Sequence, residues 1–462
     1  MSNGAQGYQS FGSFHSDDVE VLIRESEDEY ITPEVPFDTF RVFEWATSSA
    51  KELDFGENAR SEFFIDSSWT FLNHGAFGGS LREITRYGDE WRRFCETQPL
   101  RFYDRVLLPH LVHSHRALGK FINCEPVDVV LVPNATTALN AVMRSLVQGS
   151  DDNILMLDVG YGAIKKVCET VCRGLGATAD VVPISESLLS AAVDDGEPSS
   201  VDDILVGAVE SSLQGNTTYK VVVLDHTTSN TGLNLPVEKI ARVCKEYGCI
   251  VVVDGAHGLL ARDLDMRAMA QCGVDFYAGN CHKWLASNKG LGFMWTNAKD
   301  AVKPVVISHG YDDGYLSSFM WDGCRDYSAA LTLPYLLQFW DSVGQARVRE
   351  YQKKILVGAL RGLSDIWHDG DASQSFVVPS GSHLERFHSP LGLVRLPSRL
   401  QDPAGNADSA TSKAIQDRLH HDHKIEVPVK NINGQLFCRL SAHIYNTPSE
   451  YEKLGHVLLA QE

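Results

Sequence analysis

The feature that most constrains this chain is a set of short, unbroken aliphatic runs, each closed by a polar or turn-forming residue. Residues 128–133 (DVVLVP), 220–225 (KVVVLD) and 249–254 (CIVVVD) show no alternation of apolar and polar positions. A strand with one wet face alternates, so such runs predict strands covered on both faces. Segments of helical period lie among them, at 135–146, 163–175 and 237–247. Shorter strands are expected at 154–158, 181–184, 275–279 and 292–295. Strands alternating with helices in this way predict an α/β protein with a mostly parallel central sheet flanked by helices.

The remaining segments set the organisation. Residues 1–36 are Gly/Ser-rich and then acidic (SDDVEVLIRESEDEY), which predicts a disordered acidic arm. They lack the basic start and apolar stretch of a secretory signal and the Arg-rich character of a mitochondrial presequence. Residues 37–70 are expected to be a helical segment packed on the body. Residues 71–330 form the large domain, in which the polar stretch 194–218 reads as a surface loop around a weak helix. Residues 331–462 read as a smaller C-terminal α/β domain.

Charge and cysteine usage exclude several functions. Lys plus Arg number 41 and Asp plus Glu 60, a net charge of −19 that repels phosphate backbones and anionic lipid. Neither nucleic acid nor membrane is therefore an expected partner. Ten cysteines without a CxxC pair suit a reducing, cytoplasmic location. Cys168 and Cys172 share a helix face but have no second pair to complete a zinc site, so no metal is expected. His420-His-Asp-His423 reads as a solvated face.

Four stretches bear on chemistry. Gly160-Tyr-Gly162 follows a strand and opens a helix, but Lys165 stands where a dinucleotide loop needs its third glycine. In Pro133-Asn-Ala-Thr-Thr-Ala-Leu139 a strand gives way to a helix N-terminus, which suits a phosphate or an ordinary cap. Asp254 closes an apolar strand at the sheet's carboxyl edge, where open α/β sheets bind ligands. A buried aspartate there needs a positive partner, such as a protonated pyridine nitrogen, or it caps a turn. Lys283 follows VDFYAG and has apolar flanks; a lysine withdrawn from water becomes a nucleophilic amine suited to a Schiff base.

Together these stretches resemble the class V aminotransferase family of pyridoxal 5'-phosphate (PLP) enzymes of fold type I. The subgroup it resembles most includes isopenicillin N epimerase, L-cysteine desulfhydrase and the ergothioneine C–S lyase. The resemblance runs from about Phe71 to Leu459. It is carried by Leu72-Asn-His-Gly-Ala-Phe-Gly78, Asn134-Ala-Thr-Thr137, Asp225-His-Thr-Thr-Ser-Asn-Thr-Gly232, Asp254-Gly-Ala-His257, Asn280-Cys-His-Lys-Trp284, Gly323-Cys-Arg-Asp-Tyr-Ser328 and Arg439-Leu-Ser. It implies that Lys283 holds PLP through a Schiff base and that Asp254 keeps its pyridine nitrogen protonated. It implies further that the main chain at Ala135 and Thr136, with Asn280 and His282, holds the phosphate. Ser229 and His257 would lie near the phenolic oxygen, and Tyr161 would stack on the ring. Arg439 would bind the substrate carboxylate, with Asn73 and His74 facing the substrate. A homodimer is implied, with Cys324 and Arg325 serving the partner's site. Cys324 departs from the family's usual threonine, and a thiol is a poor donor to phosphate.

Within that family, loss of the α-proton leads to C–S lysis, epimerisation or transamination. A desulfurase passing sulfur to a cysteine is disfavoured, because no cysteine lies between Cys324 and Cys438. The resemblance favours a β-eliminating C–S lyase on cysteine or an S-substituted cysteine. The alternatives are an epimerase or racemase, an aminotransferase, and a non-catalytic scaffold of the same fold.

Overall fold

The computed structural model describes residues 19–185, 198–369, 384–402 and 404–460. Its aliphatic runs form the expected sheet. In chain order the strands are β1 (Thr70–Phe71), β2 (Val129–Val132), β3 (Asn153–Leu157), β4 (Ala179–Val182), β5 (Tyr219–Asp225), β6 (Ile250–Gly255), β7 (Phe276–Asn280) and β8 (Gly292–Thr296). Seven of them make one sheet in the order β2-β8-β7-β6-β5-β3-β4. Only β8 runs against its neighbours. Every residue of β2, β7 and β8 is buried, which is why these runs carry no polar alternation.

Parallel strands put their carboxyl ends on one edge. There β5 and β6 are paired in a register that sets Asp225 beside Asp254. The loop after β7 delivers Lys283 to the same edge.

A second sheet is built from β9 (Leu391–Arg395), β11 (Val429–Ile432) and β12 (Gln435–Ser441), antiparallel with β12 in the middle. Successive β12 side chains point to opposite faces. Leu436, Cys438 and Leu440 enter an apolar cluster with the Gln345–His368 and Pro448–Ala460 helices. Arg439 therefore projects the other way, toward the large sheet. The two-residue β1 pairs in parallel with β10 (Ile425–Glu426), which ties the approach to Asn73 to the C-terminal part.

Two segments differ from expectation. Residues 198–213 are a full helix, Pro198–Leu213, with Val201, Leu205, Val209 and Leu213 buried at every fourth position. That apolar stripe outweighs the polar flanks; residues 186–197 lie outside the described residues. The acidic arm is not wholly irregular either. Residues 1–18 lie outside the described residues, but Val19–Arg24 is a helix with Val19, Leu22 and Ile23 buried. The Arg116 guanidinium donates to the carbonyls of Ile23 (2.7 Å) and Glu25 (2.6 Å) and lies 4.0 Å from the Tyr30 ring centroid. Apolar burial and this arginine decide the conformation, not the acidic composition. Among the described residues no helix is long and apolar enough to cross a membrane.

Candidate active site

Lys283 sits just past β7, half-buried. Burial pushes its ammonium down to about 8, against the opposing pull of Asp254. Its Nζ lies 3.1 Å from His257 Nε2. The other ring nitrogen of His257, Nδ1, accepts from the Trp284 indole N–H at 3.3 Å. Burial holds this imidazole well below its usual range, so it is neutral. A neutral ring whose Nδ1 accepts carries its proton on Nε2. His257 therefore donates to the Lys283 amine, which must be in its neutral form to accept.

Asp254 lies on the adjacent strand end, and its Oδ1 accepts from the Ala256 N–H at 3.0 Å. Burial raises its carboxyl. Asp225 beside it is raised well above the usual range by burial and by the charge of Asp254. Two buried acids on one sheet edge call for a cationic ligand group. Asp225 also accepts the main-chain N–H of Tyr161, which starts the Gly162–Leu175 helix. Tyr161 itself is 43% exposed at the mouth of the site.

Arg439 approaches from β12. Its Nη1 donates to the Ser229 carbonyl at 2.6 Å and its Nη2 to Asn73 Oδ1 at 2.9 Å. Its Nε is buried without a partner, and burial lowers the guanidinium to about 10. No carboxylate among the described residues pairs with it. A buried cation left this way is costly, and an anionic ligand would satisfy it. Arg439 is close enough to Lys283 that its charge also disfavours the lysine's ammonium.

The phosphate end is more mixed. Asn134 caps the Ala135–Leu146 helix by accepting from the Thr137 N–H at 2.9 Å. The Ala135 N–H donates to Asn280 Oδ1 at 2.9 Å, which ties the helix start to the end of β7. That amide is engaged within the protein, a correction to its expected role as a phosphate donor. Thr136 in the same turn is exposed. His282 donates through Nδ1 to the Leu291 carbonyl at 3.1 Å and is pushed down to about 4, mainly by burial. Its Nε2 is then an acceptor, and it becomes a donor to phosphate only on taking up a proton.

His74 corrects another expectation. It is fully buried, and both ring nitrogens are used inside the protein. Nε2 donates to the Lys283 carbonyl at 3.0 Å and Nδ1 accepts from the Tyr445 hydroxyl at 3.0 Å. It braces the lysine rather than facing a substrate. His443 does the same for the next residue, donating to the Trp284 carbonyl at 3.0 Å and stacking on His74 at 4.1 Å. Sequence reasoning passed over His443, the roles of Trp284 and Asp225, and Glu426, which accepts from Asn73 Nδ2 at 3.1 Å. Asp225 and Trp284 were visible as parts of family stretches; Glu426 and His443 had no local signal.

Cys324 is exposed, and Arg325 is paired with Asp322 at 2.6 Å. Among the described residues no group of three or more His, Cys, Asp or Glu could hold a metal. His421 and Asp422 are solvated, whereas His420 turns inward to Glu426 at 3.0 Å.

A withdrawn lysine, paired buried acids and an unpaired buried arginine together fit pyridoxal phosphate and an amino-acid carboxylate. Comparison with known proteins agrees. The aminotransferase class-V family model matches residues 111–321. A putative L-cysteine desulfhydrase of Oryza sativa subsp. japonica is 29% identical over 83% of this chain and 81% of its own length. An isopenicillin N epimerase of Amycolatopsis lactamdurans is 27% identical over 87% of this chain and 97% of its own. The fold is shared with the cystine C–S lyase C-DES, solved with its product cysteine persulfide. The TM-score there is 0.68 at 19% identity, covering 85% of this chain and 98% of that one. Residues 111–321 thus match the class V aminotransferase family, and the chain has the type I fold of PLP-dependent enzymes.

Proposed function

We propose that this enzyme is a PLP-dependent C–S lyase that removes the sulfur substituent of cysteine or an S-substituted cysteine by β-elimination. The observation that carries this reading is the meeting of Lys283 with the unpaired, buried Arg439, in a site with no reactive thiol. Arg439 would take the α-carboxylate in a two-pronged contact. Lys283 would hold the cofactor covalently and, once displaced, take the α-proton on Nζ. The bound cofactor supplies the electron sink for the pair left at the α-carbon. Asp254, with Asp225 beside it, would keep the ring nitrogen protonated. His257 Nε2–H would serve the phenolic oxygen and Lys283 in turn. The C–S bonding pair leaves with sulfur, and hydrolysis gives pyruvate and ammonium.

Cys438 cannot serve as a sulfur acceptor in support of the desulfurase route: it is fully buried, and burial raises its thiol far above the usual range. Relatives named as desulfhydrases support the lyase; relatives named as epimerases support the alternative, with the Tyr161 phenol as a candidate acid. The reading includes a homodimer, with Cys324 and Arg325 facing the partner's site, and a cytoplasmic location suited to ten free cysteines.

The test is to load the protein with PLP and assay L-cysteine and its thioethers for pyruvate and released thiol, beside Lys283→Ala. Stoichiometric pyruvate and thiol support the lyase. An inverted α-carbon without pyruvate makes it an epimerase, and alanine with protein-bound sulfur makes it a desulfurase.

A further inference from the structure

A cavity of about 390 Å3 has walls formed by Trp69, Phe71, Asn73, Phe77, His420 and Glu426, and Asn73 among them contacts Arg439. A continuous chain of hydrogen bonds links its wall to Arg439. Arg439 donates to Asn73 Oδ1, Asn73 Nδ2 donates to Glu426 Oε1, and Glu426 Oε2 meets His420 Nδ1 at 3.0 Å. The His420 ring packs on Trp69 with centroids 4.6 Å apart. Asn73 therefore touches the arginine on one side and walls the cavity on the other.

The placement is rigid. Phe77 ends the short His74–Phe77 helix, and Gly78 turns the chain at φ +71°. A Cβ there would meet the His282 carbonyl oxygen at 2.0 Å. Only glycine lets this segment lie against the Lys283 loop, which fixes the cavity relative to the lysine.

Size, surface and charge define the occupant. A water's share of liquid is roughly 30 Å3, so a bare thiol leaves most of this space empty. Phe77 is 77% exposed and, with Trp69 and Phe71, offers faces for a planar group. Asp66 and Glu426 also line the cavity and no lysine or arginine does, so an anionic group is repelled.

We propose that this cavity receives the group carried by the substrate's sulfur, and that it selects cysteine thioethers bearing an aromatic, non-anionic substituent over free cysteine. The proposal rests on the C–S lyase reading for its substrate class.

The test compares S-benzyl-L-cysteine, S-carboxymethyl-L-cysteine and L-cysteine on the PLP-loaded enzyme, as kcat/KM. Binding of the same compounds to PLP-loaded Lys283→Ala protein, by calorimetry, gives a readout without turnover. The expected order is S-benzyl above L-cysteine, with S-carboxymethyl last. Trp69→Ala should cut the S-benzyl preference by about tenfold, the size of a lost aromatic contact, and Trp69→Phe should restore most of it. Cleavage of L-cysteine with no S-benzyl preference, or a preference unmoved by Trp69→Ala, overturns the subsite and leaves the lyase standing. Tighter binding of S-benzyl-L-cysteine that Trp69→Ala abolishes, with no thioether cleaved, upholds the subsite and overturns the lyase. Equal binding of the S-carboxymethyl compound overturns the charge selection.

Discussion

At the scale of single residues, the site depends on which atoms hold protons. With its ammonium near 8, Lys283 is about a tenth neutral at pH 7, against well under a thousandth at its ordinary value. This also makes Lys283 a burden on the cofactor-free fold. Its folded pKa lies below its unfolded one, so the unfolded chain binds more protons between about pH 8 and 10.5. The penalty is full below pH 8 and fades as pH rises through that window. Lys283→Met should therefore raise the melting temperature of the cofactor-free protein at pH 7, and its advantage should shrink toward pH 10; a loss of stability at pH 7 refutes this. His257 gives a second expectation. Long-range 1H–15N correlation spectra of the cofactor-free protein should show the Nε2–H tautomer above about pH 8, where Lys283 is neutral and can accept, and Trp284→Phe should release it to a mixture. Asp254 and Lys283 were singled out in the sequence because each stands at or just past a strand end, whereas Arg439, inside β12, was named only through the family resemblance. The place of His74 was not legible: its two partners stand 209 and 371 residues away, and a motif position does not say which way a ring faces.

At the scale of elements, the sheet was legible because burial on both faces leaves a local signature, the unbroken aliphatic run. The Val19–Arg24 helix was not, because the residue that fixes it, Arg116, lies 93 positions from Ile23. Composition over fifteen residues averaged away three buried side chains. Arg116→Ala removes three hydrogen bonds from a cation, two to main-chain carbonyls and one to Glu27 at 2.8 Å. It should cost about 2–3 kcal/mol, measured by chemical denaturation, and protease should then cut first near residues 24–30. Unchanged stability and cleavage elsewhere would mean that the helix is held by its apolar face alone.

At the scale of the whole molecule, the site is a seam. The large sheet supplies Asp225, Asp254 and Lys283; the C-terminal sheet supplies Arg439; the β1–β10 pair carries Asn73 and Glu426 to the gap. Arg439 spends part of the fold's stability on function. Arg439→Leu should leave the cofactor-free protein at least as stable as the parent, since a buried unpaired cation is gone. The same variant should lose the substrate-induced rise in melting temperature that a carboxylate bridging the seam produces. A large drop in melting temperature would instead make the arginine a structural strut.

The burial of the cysteines has a consequence for a chain proposed to handle sulfur compounds. Nine of the ten thiols are buried, and Cys324 alone is exposed. A thiol shut away from water stays protonated and does not trade sulfur with a passing polysulfide or disulfide. Nine of the thiols are thereby shielded from such exchange, and Cys324 is the one left open to it. Iodoacetamide should add a single tag to the native protein, at Cys324, and ten after denaturation.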